Sequence, residues 1–315
     1  MDLLTDVLQL AGVRCRLVDL RQLADDAALR FPCDRSMGLH VVTQGRVYIH
    51  VDGLETPLVL AAGDIAVMAR GSHHVLSTRA TLDGAQLQTV WAPCGEPRPA
   101  GAGTEVISGG YQMWNTPVHP FFAEMPGWFM LRADSVPKLG PLALSLGLLE
   151  QEARQRELGA ETVVHGLLDV IFTFLLREIV ARQGGAGWSR AVRDPHVRQV
   201  VALMHADCAR PWTLEELAAR SGLSRTMLAA RFRTAMGDTP LAYLRTVRMQ
   251  KAMRLLSESS ENLDHVALEV GYQDAFSFSK VFKRTVGVSP KEFRRRDAER
   301  TTAPGQAPAL PPAPP

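Results

Sequence analysis

The hydrophobic pattern of the chain changes period once, near residue 137. Before that point apolar residues come in short runs at Leu39–Val42, Arg46–Val51, Pro57–Leu60 and Ile65–Met68. Between the runs lie Gly45, Asp52-Gly53 and Gly63-Asp64, residues that form turns through their tolerance of positive φ. Strands this short and evenly spaced predict an all-β barrel or sandwich over residues 1–135. The Pro- and Gly-rich stretch 93–103 reads as a loop. After the change, Leu142, Leu146, Leu149 and Ala153 fall at helical spacing, and Val164, Leu167, Leu168, Ile171, Leu175 and Ile179 form a second stripe. With Gly159 between them, they predict an antiparallel helical pair over 136–183. The Gly-rich stretch 183–187 reads as a flexible joint, which opens a linker over 184–193. Helix-period sequence with short loops fills 194–298. The Pro/Ala-rich end, 299–315, reads as a disordered tail.

Length and charge sharpen this division. A chain of 315 residues corresponds to about two domains, and 46% hydrophobic with 22% charged residues is an ordinary globular composition. The net charge of +2 hides an asymmetry: residues 1–189 carry 15 basic and 20 acidic side chains, residues 190–300 carry 20 and 13, and the last fifteen carry none. An acidic half of −5 is joined to a basic half of +7. The four cysteines, Cys15, Cys33, Cys94 and Cys208, have no CxxC spacing, so neither a zinc knuckle nor a disulfide framework is indicated. Residues 1–10 contain Asp2 and Asp6 but no basic residue, unlike a secretory leader. The most apolar stretch, 163–176, includes His165 and Asp169 and is short of the ~20 residues a bilayer span needs. A cytoplasmic protein with reduced thiols and no membrane partner is expected.

The basic half contains a repeat. In each copy a small residue (Ala218, Ala267) precedes a glycine (Gly222, Gly271) by four, and a pair of apolar residues follows on one helical face (Leu228 with Phe232, Phe278 with Phe282). A helix-turn-helix needs this spacing: alanine lets the first helix approach the second, and glycine supplies the left-handed turn. Ser224 and Asp274 are placed to cap the second helices, and Thr213 with Glu216 makes a capping box for the first helix of copy one. The faces opposite Leu228/Phe232 and Phe278/Phe282 then carry Arg225, Thr226, Ala229, Ala230 and Arg233, and Ala275, Phe276, Ser279, Lys280 and Lys283. Arg225 can read guanine or clamp a phosphate, Thr226 can hydrogen-bond, and the alanines can meet thymine methyls. With so little polarity, Ala229 and Ala230 leave open whether copy one reads bases or positions the backbone. Phe276 has no core role on that face.

These two motifs, the joining stretch 240–256, and the segments 271–284 and 287–295 resemble the AraC/XylS family of transcription regulators, over about 194–296. The resemblance implies a bilobed DNA-binding domain that sets two recognition helices into successive major-groove segments. The acidic half is similar to a cupin-type sensor of that family over about 1–182. Residues 63–74 follow the second cupin motif, with Ala69 in the proline place and His74 in the histidine place, and 38–45 look like the end of the first motif. The fold class expected is α+β multidomain: an N-terminal cupin-like β-barrel with a helical hairpin, and a C-terminal all-α domain with two helix-turn-helix motifs.

The first-motif His-x-His-x-x-x-Glu is absent, since 31–38 reads FPCDRSMG, so a metal-dependent oxygenase is disfavoured and neither metal nor cofactor is expected. His40 and His74 are kept as candidate pocket residues, and His73 as a surface one. Some members of this branch sense oxidants with a cysteine pair. Cys15 lies between Arg14 and Arg16, whose charges can lower a thiol pKa, but the expected partner stretch 106–111 holds Ser108. Cys94 is the nearest substitute, and small buried hydrophobes remain the alternative for Cys15 and Cys33. Resemblance further implies that the helical pair dimerises the protein, with Leu142, Leu146, Leu149, Leu168, Ile171, Phe172 and Leu175 as candidate seam; packing within the chain is the alternative. The function expected is a non-enzymatic regulator, an activator that binds double-stranded promoter DNA and RNA polymerase as a homodimer, controlled by a small molecule or oxidant.

Overall fold

The computed structural model describes residues 3–10, 14–31, 36–69, 71–90, 103–112, 119–155, 157–182, 188 and 193–302. An opening helix, α1 (Leu3–Leu10), leads into β1 (Arg14–Leu23), β2 (Ala28–Phe31), β3 (Ser36–Gln44), β4 (Arg46–Val51), β5 (Leu58–Ala61), β6 (Ile65–Met68), β7 (His74–Ser77), β8 (Leu87–Thr89) and β9 (Thr104–Gln112). After the short α2 (Pro120–Ala123), β10 (Trp128–Leu131) completes the strands. They hydrogen-bond in two five-stranded sheets, ordered β1-β9-β3-β6-β10 and β5-β4-β7-β2-β8. Among the described residues every pairing is antiparallel except β2 with β8. The four runs read from the pattern are β3 to β6. Among the described residues the strand order ends at β1 and β10 in one sheet and at β5 and β8 in the other. The expected barrel is therefore seen as two facing sheets.

The first sheet is covered on both faces, which explains why β3 and β6 read as unbroken apolar runs rather than alternating ones. Met37, Leu39 and Val41 face the helices, as do Ile65 and Val67. Val42, Ala66 and Val106 face the second sheet, where they meet Leu29, Val47, Ile49, Leu60 and Leu76. The second sheet turns its other face outward, so β4 alternates.

The helical pair is α3 (Pro141–Gln155) and α4 (Ala160–Arg182). It lies on the first sheet. Tyr111 of β9 donates its hydroxyl to the Leu168 carbonyl at 2.7 Å and stacks on Phe172 at 4.1 Å. Arg154 reaches the buried Glu105 carboxylate at 2.6 Å, tying α3 to the sheet. Of the expected seam, Leu142, Leu149, Leu168, Ile171, Phe172 and Leu175 are buried in this intrachain core, and Leu146 packs at its edge. The exposed apolar residues of the pair are instead Leu144, Leu148, Val163 and Val170.

Among the described residues, those from 193 onward form seven helices: α5 (Pro195–Ala206), α6 (Leu214–Arg220), α7 (Arg225–Met236), α8 (Pro240–Glu258), α9 (Leu263–Glu269), α10 (Ala275–Val286) and α11 (Pro290–Thr302). The sequence set the start of the tail at residue 299, but α11 runs on to Thr302. Its first turn is held by Glu292, which pairs with Arg295 and Arg296. Residues 303–315 lie outside the described residues. Helix α8 serves two cores: Tyr243, Leu244 and Val247 belong with α5 to α7, whereas Met249, Ala252, Met253 and Leu256 belong with α9 to α11. The first of these cores is continuous with that of the β domain, through Leu3 and Val7 of α1, Phe121, Phe122, Met125 and Trp188.

Candidate nucleic-acid interface and sensor site

Each motif is built by local chemistry that fixes where its second helix begins. Ser224 Oγ accepts the Met227 N–H at 3.2 Å, and Asp274 accepts the Ser277 N–H at 2.7 Å, so both expected caps form. Ala218 and Ala267 are buried at the helix contacts. Gly222 and Gly271 have φ of +69° and +78°, where other residues are strained. From Gly222 to its cap is two residues and from Gly271 to its cap is three, so the second turn is one residue longer. The capping box forms by half. Thr213 accepts the Glu216 N–H at 3.1 Å, but the Glu216 carboxylate pairs with Arg210 and Arg220.

Leu228, Phe232, Phe278 and Phe282 are buried, which turns the opposite faces outward. On α7, Arg225, Thr226, Ala230 and Arg233 are exposed and Ala229 is half-buried. On α10, Lys280 and Lys283 are exposed, Ala275 and Ser279 are half-buried, and Phe276 leaves 81% of its surface in water. A phenyl ring so placed lacks the burial that would stabilise the fold. Arg225 is engaged: its guanidinium lies 2.6 Å from Glu215 of α6, which holds that carboxyl below the usual carboxylate range.

In the β domain, His40 and His74 come together between the two sheets, with their Nε2 atoms 2.8 Å apart. His74 Nδ1 donates to the Ser72 carbonyl at 2.9 Å, so its Nε2 is an acceptor. His40 therefore donates from Nε2 and accepts the Ser108 hydroxyl on Nδ1 at 2.8 Å. Phe31 stacks on His74 at 5.1 Å and Trp128 meets its ring edge-on at 4.9 Å. Burial holds both imidazoles neutral: His40 lies well below its ordinary pKa, with His74 adding to the effect, and His74 is pushed down to about 4. Both ring nitrogens of each histidine are used within this chain of bonds. Among the described residues no three His, Cys, Asp or Glu side chains converge as a metal site. His73 is exposed.

Sequence reasoning did not pair His40 with His74, because His40 lay outside the cupin motif spacing. It named Ser108 only as a missing cysteine, and that serine now closes the chain of bonds. The backbone of Cys15 is opposite Tyr111 in the β1–β9 ladder, and Ser108 is opposite Asp19. Three ladder steps along β9, about 10 Å, separate them, beyond any disulfide reach. Cys33 and Cys94 lie outside the described residues.

A third site was not anticipated at all. His119, just before α2, meets Tyr243 of α8, and Tyr243 meets His205 of α5. The Phe121 N–H donates to His119 Nδ1 at 3.2 Å, so the His119 proton is on Nε2, aimed at the phenol 2.9 Å away. The phenol in turn donates to His205 Nε2 at 2.7 Å. Trp188 packs on Phe121, and its backbone N–H donates to Glu124. This cluster joins the β domain to the first helix-turn-helix lobe.

Comparison with known proteins bears on both halves. A cupin family model matches residues 2–181 and a helix-turn-helix domain model matches 217–296. A putative AraC-like transcription regulator of Streptomyces lividans is 31% identical over 302 residues, 94% of this chain and 98% of that one. The chain belongs to the AraC-like transcription regulators. A second AraC-like relative, from Streptomyces antibioticus, is 30% identical over 94% of this chain and 99% of its own. The transcriptional activator RhaS of Klebsiella pneumoniae is 30% identical over 46% of this chain and 53% of its own. This AraC-like regulator thus has a cupin domain followed by a DNA-binding helix-turn-helix domain. No helix among its described residues is long and apolar enough to cross a membrane.

Proposed function

We propose that this AraC-like regulator activates transcription by setting α7 and α10 into successive major-groove segments of promoter DNA. The observation that carries this reading is the exposed face of two capped, repeated helices, above all Phe276, whose ring is 81% exposed. On α7, Arg225, Thr226 and Arg233 make the polar contacts, while Ala229 and Ala230 meet thymine methyls; Ser224 and Asp274 cap the two helices and so fix the residues at which their DNA-facing surfaces begin. On α10, Ala275, Phe276 and Ser279 face the bases, and Lys280 and Lys283 the backbone. The activator role, with RNA polymerase as partner, rests on the likeness to RhaS.

The cupin domain, its two sheets read as the halves of a cupin barrel, receives the signal and acts as a binding module, not as an enzyme. Its candidate sensing residues are His40 and His74 for a small molecule, and Cys15 with Cys94 for an oxidant. The continuous core through His119, Tyr243 and His205 supports a direct route from that domain to the first DNA-binding lobe. The exposed residues Leu144, Leu148, Val163 and Val170 are the dimer seam of this reading, in place of the buried ones. Binding to promoter fragments at increasing salt tests the reading. Affinity should fall steeply with ionic strength, as phosphate neutralisation requires, and an affinity indifferent to salt and to sequence would reject it.

A further inference from the structure

The two helix-turn-helix motifs do not share a hydrophobic core. At the point on α8 where one core gives way to the other, Arg248 sits between Val247 of the first and Met249 of the second. Its side chain leaves the helix and gathers the backbone of the loop after α5. Nε donates to the Cys208 carbonyl at 2.7 Å, and Nη2 donates to Ala209 at 3.4 Å and Arg210 at 2.9 Å. The guanidinium also lies 5.8 Å from the ring of Tyr272, in the turn of the second motif.

That loop is itself bound to the first motif. Arg210 pairs with Glu216 of α6 and lies over Trp212, whose indole N–H donates to the Asp207 carbonyl at 2.8 Å. On its other side the loop touches the second motif directly. A Cβ on Gly271 would stand 2.3 Å from the Ala209 carbonyl oxygen and 2.8 Å from Arg248 Nη2. Glycine is needed at 271 twice over, for its positive φ and for this approach. A continuous path therefore runs from α6 through Arg210, the loop carbonyls and Arg248 to the Gly271-Tyr272 turn.

We propose that Arg248 is a positioning residue that sets the spacing of the DNA site: with Gly271 it holds the two recognition helices at one separation and one twist. The proposal rests on the reading of α7 and α10 as DNA-reading helices. Its physical basis is that one base pair shifts a half-site by about 3.4 Å and turns it about 34° around the duplex. A joint clamped by three carbonyl bonds cannot follow such a shift, whereas a bare helix with two separate cores can bend. Arginine is required because its planar fork serves several carbonyls at once, and lysine cannot.

The test is selection of bound sequences from a random duplex pool with the full chain, followed by affinity for the selected site with one or two base pairs added or removed between its halves. The wild-type protein should select a two-part site and lose about tenfold or more in affinity per altered base pair. Arg248→Met should bind the selected spacing less tightly, read the same bases in each half, and lose less than about threefold on the altered spacings. Uniform weakening across all spacings would overturn the proposal, leaving Arg248 a merely structural residue. If Arg248→Met does not fold, Arg248→Lys carries the same comparison, with the same two outcomes. A wild-type protein that selects no two-part site would overturn the DNA-reading assignment itself.

Discussion

The phenol of Tyr243 lies 2.9 Å from His119, a residue 124 positions earlier, and joins the cupin domain to the helix that links the two DNA-binding motifs. The same hydroxyl serves His205 at 2.7 Å, so one oxygen meets a ring nitrogen of each of two imidazoles. Burial holds both of these histidines neutral and raises the Tyr243 pKa, so the triad is uncharged at neutral pH.

Tyr243→Phe should therefore cost far more than a lost surface hydrogen bond. It keeps the ring that packs on Phe232, but it leaves one buried donor and one buried acceptor without partners. A destabilisation of about 1–3 kcal/mol is expected, measured by urea unfolding. A change below a few tenths would show that the triad does not hold the two domains together.

Acid should loosen the same contacts. The buried histidines have folded pKa values below the ordinary 6.5, with His74 and His205 at about 4. Between those values the unfolded chain binds protons that the folded chain refuses, so stability rises with pH over this window. It should be fully present above pH 6.5 and decline as pH falls toward 4, by roughly 3 kcal/mol for His205 alone. Melting temperature against pH checks this. His205→Asn with the same acid slope as the wild type would remove that residue from the account.

Phe276→Ala should separate binding from folding. With 81% of the ring in water, its removal should leave stability within about 0.5 kcal/mol. Affinity for a selected site should fall by about 1 kcal/mol, roughly fivefold. An unchanged affinity in a gel-shift titration would take Phe276 out of the interface.

Glu215→Gln should strengthen DNA binding. Arg225 is held 2.6 Å from Glu215, so the cation must leave this partner, or share it, to meet a phosphate or a guanine. Removing the carboxylate charge should raise affinity a few-fold at low salt, and Arg225→Ala should lower it and reduce the salt slope by about one. Opposite signs for the two variants are the expected result of the titration.

Leu148→Glu should yield monomers in sedimentation. The side chain is 56% exposed on α3, so the charge disturbs a second copy rather than the core. A dimer that survives both this change and Val170→Glu would move the seam elsewhere on the surface.

Much of this was readable along the chain because its causes are local. Caps at Ser224 and Asp274, left-handed glycines at 222 and 271, and the helical spacing of Leu228 with Phe232 each act within a few residues, so the two motifs and their outward faces could be placed in advance. The strands β3 to β6 were legible for the same reason, between turns marked by Gly45, Asp52-Gly53 and Gly63-Asp64. Only the tertiary structure decided the rest. Whether Leu168 and Ile171 face a second copy or the chain's own sheet depends on what covers that face, and both alternatives have the same sequence pattern. His40 meets His74 across two sheets, His119 meets Tyr243 across two domains, and Arg248 clamps a loop some forty residues away. Hydrogen bonds of this kind leave no periodicity behind, because the partners are brought together by packing and not by spacing.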